Sequence, residues 1–245
     1  MSYEQIAAQG KHKMIFFCFL HFFCLTVFIF YIAGGETSSS TVAYTLYELT
    51  RNKELMSRAK EDIEHTLEKH EGQVTYESIM DMKFIDLCVK ETLRKYPFPM
   101  LNRECTKDYH IPGSNFTITK GTSVLVSLLG IHRDEEFFPN PEDYNPDRFT
   151  DEKRAYDEDM YMPFGAGPRN CIGKIHLFFQ FILFKTTFFN TQAFRMGLMV
   201  SKVALVKFLL NYNFTAVNTA ELEFDFGTIA LIPKAGLCRV KIMHK

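Results

Sequence analysis

A single cysteine in a glycine-punctuated loop constrains this sequence more than any other feature. The loop runs from Phe164 to Gly173 and reads FGAGPRNCIG, with a helix-type apolar pattern after it. Glycines let a backbone approach a large planar cofactor closely, and a thiolate just ahead of a helix is stabilised by free amide hydrogens and by the helix dipole. Arg169, two residues before Cys171, could pair with a carboxylate of such a cofactor. The alternative interpretation is a glycine-rich turn that carries a buried cysteine.

Composition narrows the classes of protein that fit. The 245 residues hold 28 basic and 29 acidic side chains, so the charge balance gives no reason to expect nucleic-acid binding. The chain is long enough for one or two ordinary domains. Neither a disulfide scaffold nor a zinc site is favoured, because the six cysteines are scattered and no pair has CxxC spacing. Most of the cysteines are expected to be buried small apolar residues.

The pattern of apolar residues predicts a mainly α protein with small antiparallel β-sheets. Apolar stripes predict helices over 53–71 and 76–95, and a helix is expected again after the cysteine loop. Short β-type runs separated by turns fill 107–128, and strand-like segments recur near 222–243. The residues of 132–160 are rich in Asp, Glu, Pro and Asn and predict irregular surface chain.

Two further motifs lie before the loop. Glu91 and Arg94 are three apart in a predicted helix and share a face, which by itself indicates a surface ion pair worth roughly 0.2–0.5 kcal/mol. The segment Ala33–Thr37 reads AGGET. A glycine inside a helix costs roughly 1 kcal/mol, so a pair needs a reason such as the close approach of a ligand. The alternative is a helix that ends near Gly35, with Glu36 and Thr37 exposed.

The cysteine loop resembles that of the cytochrome P-450 superfamily. It matches Phe-x-x-Gly-x-Arg-x-Cys-x-Gly at all fixed positions, which are Phe164, Gly167, Arg169, Cys171 and Gly173. The resemblance implies haem b as cofactor, with Cys171 as the axial thiolate ligand of the iron. It also implies that Phe164, Gly165, Gly167, Arg169 and Gly173 bind the cofactor. A thiolate ligand pushes electron density onto haem iron and favours cleavage of the O–O bond.

The other motifs follow in the order found in that family. Glu91 and Arg94 resemble its Glu-x-x-Arg, and 146–149 (PDRF) resembles its Pro-x-Arg-Phe stretch. The resemblance therefore implies a buried structural cluster of Glu91, Arg94 and Arg148. Ala33–Thr37 resembles the oxygen-binding groove of the central helix. There Ala33 and Gly34 would lie against the cofactor, and Glu36 and Thr37 would be catalytic residues that relay protons to dioxygen.

A fourth match is Arg103, which resembles the arginine that binds a haem propionate; a solvated surface arginine is the alternative. Residues 4–9, 102–108 and 131–134 look like the insect microsomal branch of the family. The resemblance implies a monooxygenase that takes electrons from an NADPH-dependent P-450 reductase and inserts one atom of O2 into a small apolar substrate. It implies the cytosolic face of the endoplasmic reticulum membrane, with peripheral membrane contact and no nucleic-acid partner.

The sequence also departs from the family pattern. Residues 1–245 correspond to the C-terminal part of a P-450 haem domain, and the usual N-terminal anchor and early helices are expected to be absent. Met14–Ala33 is twenty residues long and nearly free of polar residues, so length makes it a candidate for a spanning helix. Its first part, however, lies in a segment that interrupts the family pattern, which argues against that interpretation.

Two Phe-rich segments, 11–26 and 174–194, are interpreted as non-native inserts. Neither contains Asp or Glu, and each begins with Lys after Gly, a dipeptide that splice-donor-like DNA can encode. We expect translated introns, and lipid-facing inserts are the alternative. The chain as written is then expected to be inactive. The alternative functions are an inactive truncated fragment and a membrane-anchored remnant without catalysis.

Overall fold

The computed structural model describes most of the chain, and the described residues are 3–98, 100–151, 156–171, 196–217, 222–225, 232–233 and 240–244. Two compact units are present, Met1–Ser40 and Thr41–Lys245. The boundary between them falls within the first helix, α1 (Tyr3–Arg51).

Helix α1 continues through Gly34 and Gly35 without a break, so the helix does not end near Gly35. In the first unit its side chains from 21 to 37 are almost all exposed, including Phe22, Phe28 and Tyr31. Among the described residues, His21–Arg51 is the stretch that is long and apolar enough to cross a membrane by length and composition.

Helix α2 (Lys53–Lys69) confirms the predicted helix to within two residues at its C-terminal end. Asn52 caps its first turn, because the side-chain oxygen accepts hydrogen bonds from the backbone N–H groups of Glu54 and Leu55. The apolar stripe of the helix is buried as its spacing predicts. It consists of Leu55, Ala59, Ile63 and Leu67.

The single helix predicted over 76–95 is wrong, because the structure contains two helices, α3 (Tyr76–Asp81) and α4 (Lys83–Lys95). Met82 between them has non-helical backbone angles and a fully buried side chain. Asp62 of α2 accepts hydrogen bonds from the backbone N–H groups of Phe84 and Ile85 at 2.9 and 3.1 Å. Because this cap comes from a helix more than twenty residues away, periodicity alone could not find the break. Burial raises the pKa of Asp62, and the backbone hydrogen bonds oppose that rise.

Replacing Asp62 by alanine is expected to destabilise the protein by about 1–2 kcal/mol, because the first turn of α4 loses its side-chain acceptor. The measurement is the urea midpoint of unfolding at constant slope. Asp62→Asn is the matched control, since its amide oxygen can still accept both hydrogen bonds. Equal losses in the two variants would contradict the capping role.

The part of the chain that the structure describes contains eight short strands. In chain order they are Met100–Glu104 (β1), Tyr109–His110 (β2), Thr117–Ile118 (β3), Ser123–Ser127 (β4), Tyr212–Ala216 (β5), Phe224–Asp225 (β6), Ile232–Pro233 (β7) and Val240–His244 (β8). Within the described residues they form four antiparallel pairs, β1 with β4, β2 with β3, β5 with β8 and β6 with β7. The prediction of a mainly α fold with small antiparallel sheets is confirmed.

Two more helices of the second unit lie among the described residues, α5 (Leu128–His132) and α6 (Met196–Asn211). The core of this unit lies where the Thr41–Arg51 part of α1 packs with α2, α3, α4 and α6. Its fully buried apolar side chains include Leu49, Ala59, Ile85, Leu205 and Val206. The helix expected directly after Cys171 falls in 172–195, which lies outside the described residues.

The prediction of irregular surface chain over 132–160 is wrong in one respect, because part of this segment is buried. It forms short 3-10 turns at Pro146–Phe149 and Glu158–Met160. Phe138 is fully buried and its ring stacks on Tyr156 at 5.6 Å between centroids. Phe149 packs on Tyr156 and Tyr161 at 4.8 Å each. A few aromatic rings therefore anchor a segment whose composition is otherwise polar.

Candidate functional site

Short-range backbone hydrogen bonds hold the cysteine loop. The N–H of Gly165 donates to the carbonyl of Met162, and the N–H of Cys171 donates to the carbonyl of Phe164, both at 2.8 Å. Gly165 and Gly167 have φ values of +74° and +73°, in the left-handed region where a side chain would be strained. The loop therefore needs both glycines to bring its last residue, Cys171, back beside Phe164.

The loop presents its cysteine to solvent. The side chains of Cys171 and Arg169 are exposed, whereas Phe164 is partly buried against the core. Gly165 is buried, and a Cβ there would lie 3.5 Å from the Leu101 side chain of β1. The buried-cysteine interpretation is therefore wrong for Cys171. Gly173, the last residue of the motif, lies outside the described residues.

Arg103 of β1 lies beside the loop. Its Nη2 donates a hydrogen bond to the carbonyl of Arg169 at 3.3 Å, and its Nη1 donates to the carbonyl of Asn102 at 2.8 Å. Both arginine side chains are exposed. The strand thus brings a second guanidinium group to the cysteine loop from 66 residues earlier in the chain.

Glu91, Arg94 and Arg148 form one buried cluster. Arg94 donates two hydrogen bonds to the carboxylate of Glu91 at 2.8 and 2.9 Å, and Arg148 Nε donates to the same carboxylate at 3.3 Å. The side chains of Glu91 and Arg94 have no solvent exposure, and that of Arg148 is 5% exposed. The surface-pair interpretation of Glu91 and Arg94 is therefore wrong.

Backbone groups complete this cluster. The N–H of Asn145 donates to Glu91 at 2.9 Å. The two arginines also donate to backbone carbonyls. Arg94 donates to those of His132 and Asp143, and Arg148 donates to those of Pro139 and Asn140. The charges are thus paired and hydrogen-bonded on all sides, which is the condition for keeping them buried. No side-chain pattern marks these backbone partners, so sequence reasoning missed them.

Sequence reasoning also missed His132, whose side chain is fully buried. Its Nε2 accepts a hydrogen bond from the N–H of Met162 at 3.3 Å, at the start of the cysteine loop. In the sequence, His132 was noticed only as part of the segment 131–134, which resembles the insect branch of the family. A second missed group joins Glu48 of α1 to Lys95 at 2.9 Å and to the Tyr96 hydroxyl. Burial and the neighbouring Glu48 raise the pKa of Tyr96.

The residues of the AGGET segment lie in the first unit. Glu36 and Thr37 are exposed, as are Ala33 and Gly34. The Thr37 hydroxyl donates a hydrogen bond to the carbonyl of Ala33 at 2.7 Å. A Cβ built on Gly34 would meet none of the described atoms within 4 Å outside its own stretch of helix. This part of α1 thus exposes the carboxyl group of Glu36, the hydroxyl group of Thr37 and the backbone at Gly34.

The residues of the loop fit a haem with a thiolate ligand. Cys171 is exposed near the end of a loop in which Gly165 and Gly167 adopt positive φ angles. Arg103 and Arg169 are exposed beside it and can pair with carboxylates. A soft thiolate suits iron, and planar guanidinium groups suit propionates. A loop of this kind, on a mainly helical fold with a buried Glu–Arg–Arg cluster, fits the class of haem-binding proteins.

Comparison with known proteins agrees with the assignment of the fold and of the cysteine loop. The family model of Cytochrome P450 matches residues 24–175. The chain is 48% identical over 219 residues to Probable cytochrome P450 6d4 of Drosophila melanogaster, which covers 89% of this chain and 38% of that protein. It is 47% identical over 216 residues to Cytochrome P450 6d3 of Musca domestica, covering 86% and 38%. The chain belongs to the cytochrome P450 family, and the predicted resemblance to its insect members is confirmed.

A further insect relative is Cytochrome P450 6l1 of Blattella germanica, 50% identical over 148 residues, which covers 59% of this chain and 29% of the relative. The chain spans 38% of the length of the first two relatives. All the motifs named above except Gly173 lie among the described residues of the matched range.

Proposed function

We propose that this chain forms the haem-binding part of a monooxygenase in which Cys171 is the thiolate ligand of the iron. The observation that supports this most is the exposed Cys171 at the end of its glycine loop, with Arg103 hydrogen-bonded to the same loop. Family membership supports a haem-dependent oxidoreductase in general. Bound haem would supply the chemistry that binds and activates dioxygen.

Each residue has a separate proposed task. Cys171 would bind the haem iron through its sulfur, and Phe164 packs the loop against the core. Arg103 and Arg169 orient the cofactor through its carboxylates, together with the backbone at Gly165, Gly167 and Gly173. Glu91, Arg94 and Arg148 fix α4 to the 139–148 segment and do not touch the cofactor; the hydrogen bonds of the buried cluster support this structural role.

Glu36 and Thr37 are proposed to hold and move protons for the reaction of dioxygen, and Ala33 and Gly34 are proposed to leave room for the cofactor. Exposure of both polar side chains on α1 supports this, since a group that delivers protons must exchange them with water. The Thr37 hydroxyl donates a hydrogen bond to the carbonyl of Ala33, one turn earlier in the same helix.

Thr37→Ala, introduced into a full-length enzyme that contains this segment, is expected to keep haem but to release hydrogen peroxide in place of product. The reason is that proton delivery loses its hydroxyl while the ligand loop is unchanged. The measurements are peroxide formed and product formed for each NADPH consumed. Thr37→Ser is the matched control because it retains the hydroxyl. Fully coupled turnover by the alanine variant would count against the role.

The finer parts of the function are also proposals. The electrons are proposed to come from an NADPH-dependent reductase, and the substrate to be a small apolar molecule that takes one oxygen atom. The location is proposed to be the cytosolic face of the endoplasmic reticulum, and the apolar helix within His21–Arg51 is compatible with a membrane contact. Insect relatives support these assignments by likeness only.

Carbon-monoxide difference spectroscopy tests the haem-thiolate function directly. The chain is expressed, loaded with haem, reduced and exposed to carbon monoxide. A band shifted far to the red requires a thiolate on the iron and is the expected result. A spectrum that is typical of histidine or of free haem would overturn the proposal.

We also propose that 11–26 and 174–194 are translated introns, which their Phe-rich composition supports. Transcript sequencing across Gly10 and Gly173 tests this, and transcripts that always retain both segments would refute it. Residues after 194 that match the family would then be displaced by about twenty positions, or roughly 30 Å of helix. The chain as written is accordingly expected to oxidise an alkoxy-coumarin substrate no faster than free haem does when supplied with reductase. Turnover above that background would contradict this prediction.

A further inference from the structure

His132 contacts both the buried cluster and the cysteine loop. Its backbone carbonyl accepts a hydrogen bond from Arg94 Nη1 at 2.9 Å. Its ring accepts one from the N–H of Met162 at 3.3 Å. Met162 in turn accepts from the N–H of Gly165 at 2.8 Å, inside the loop that ends at Cys171. A continuous path of hydrogen bonds therefore runs from Arg94 through His132 to the loop.

The ring of His132 is held in place by aromatic neighbours. Tyr161 stacks on it at 5.7 Å between centroids, and Phe138 meets it edge-on at 5.5 Å. The ring has no solvent exposure. Two aromatic contacts and one hydrogen bond thus fix the direction of Nε2, so a small change at His132 would be passed on to Met162.

Only the neutral form of His132 can make this contact. A backbone N–H always donates, so Nε2 must carry a lone pair and the ring proton must lie on Nδ1. Nδ1 meets no hydrogen-bond partner among the residues that the structure describes. Burial lowers the pKa of His132 to about 4, against the opposing effect of nearby backbone carbonyls. The charged and titratable groups that face the ring are Arg94 of α4, which lowers the pKa further, and Tyr161.

We propose that His132 is a positioning residue for the thiolate loop: its neutral ring holds Met162, and through Met162 the loop, at a fixed distance from the Glu91–Arg94–Arg148 cluster. The role toward a thiolate rests on the proposed function of Cys171 as the iron ligand. The mechanical link from His132 to the loop is a property of the chain itself. It can therefore be measured without haem.

The test is amide hydrogen exchange of the full chain, read at Met162 and over 162–171. His132→Phe fills the space but cannot accept, and the Met162 amide is expected to exchange about tenfold faster, as the loss of one hydrogen bond implies. His132→Gln is the matched variant, because its amide oxygen can accept from the same N–H, and it is expected to restore protection. Exchange unchanged in His132→Phe, or equally fast in both variants, would overturn the proposal.

A pH series of the unaltered chain gives an independent measurement that needs no variant. Protection of Met162, corrected for the intrinsic pH dependence of exchange, is expected to hold from pH 7 down to about pH 5 and to be lost as His132 takes a proton near pH 4. His132→Gln is expected to lack that step. Protection that persists through pH 3 in the unaltered chain would contradict the role of the ring.

The haem-loaded chain separates this proposal from the proposed function. His132→Phe is expected to convert part of the red-shifted carbon-monoxide band into the thiol-ligated form, and His132→Gln to retain it. If the unaltered chain shows no red-shifted band, the function of Cys171 fails and the exchange result still decides the role of His132. If the band is present and identical in both variants, the positioning role toward the thiolate is refuted.

Discussion

Cys171→Ser is expected to abolish the thiolate spectrum of the haem-loaded chain. A serine hydroxyl is a hard oxygen ligand and remains protonated near neutral pH, so it cannot replace a soft thiolate on iron. The substitution is nearly isosteric and the side chain is exposed, so the fold should not change. The measurement is the reduced carbon-monoxide difference spectrum together with the haem content for each chain.

Cys88→Ser and Cys105→Ser are the matched controls, and both are expected to keep the spectrum. Cys88 is buried in α4, and that burial raises the pKa of its thiol, so it is held as a protonated apolar side chain. The thiol of Cys105 donates a hydrogen bond to the carbonyl of Lys107 at 2.9 Å. An unchanged spectrum in Cys171→Ser, or its loss in either control, would assign the ligand elsewhere.

Glu91→Gln is expected to destabilise the second unit by about 3–5 kcal/mol, because it leaves the guanidinium groups of Arg94 and Arg148 buried without a counter-charge. Typical domains have only about 5–15 kcal/mol of stability, so this loss is a large share. Arg148→Met should cost a similar amount by leaving the carboxylate short of a partner. Urea unfolding followed by circular dichroism measures both.

The matched control is Glu142→Gln, which breaks the exposed pair with Arg133 at 3.7 Å and should cost no more than about 1 kcal/mol. Because Glu91 and Arg148 share one network, the double variant Glu91→Gln/Arg148→Met should lose less than the sum of the two single losses. A loss at Glu91 no larger than that of the control would show that the cluster has no structural role.

Some features of the fold and of the candidate site could be predicted from local sequence, and others could not. The glycine loop with Cys171 could be recognised because its motif depends on local order: three glycines, an arginine and a thiol within ten residues. The buried stripe of α2 was equally predictable, because helical periodicity is a local property. The break at Met82 was not, since the acceptor that caps α4 is Asp62, on a separate helix.

The sequence by itself determined which residues are proposed to carry chemistry, because the cysteine loop and the Glu-x-x-Arg pair are short local motifs. Only the tertiary structure decided their surroundings. It buried Glu91 and Arg94 completely and brought Arg148 to them from 57 residues away. It also placed Arg103 against the cysteine loop and brought the ring of His132 within hydrogen-bond distance of the Met162 N–H. Burial and hydrogen bonding to backbone groups depend on which segments meet in space, and no local pattern of side chains records that.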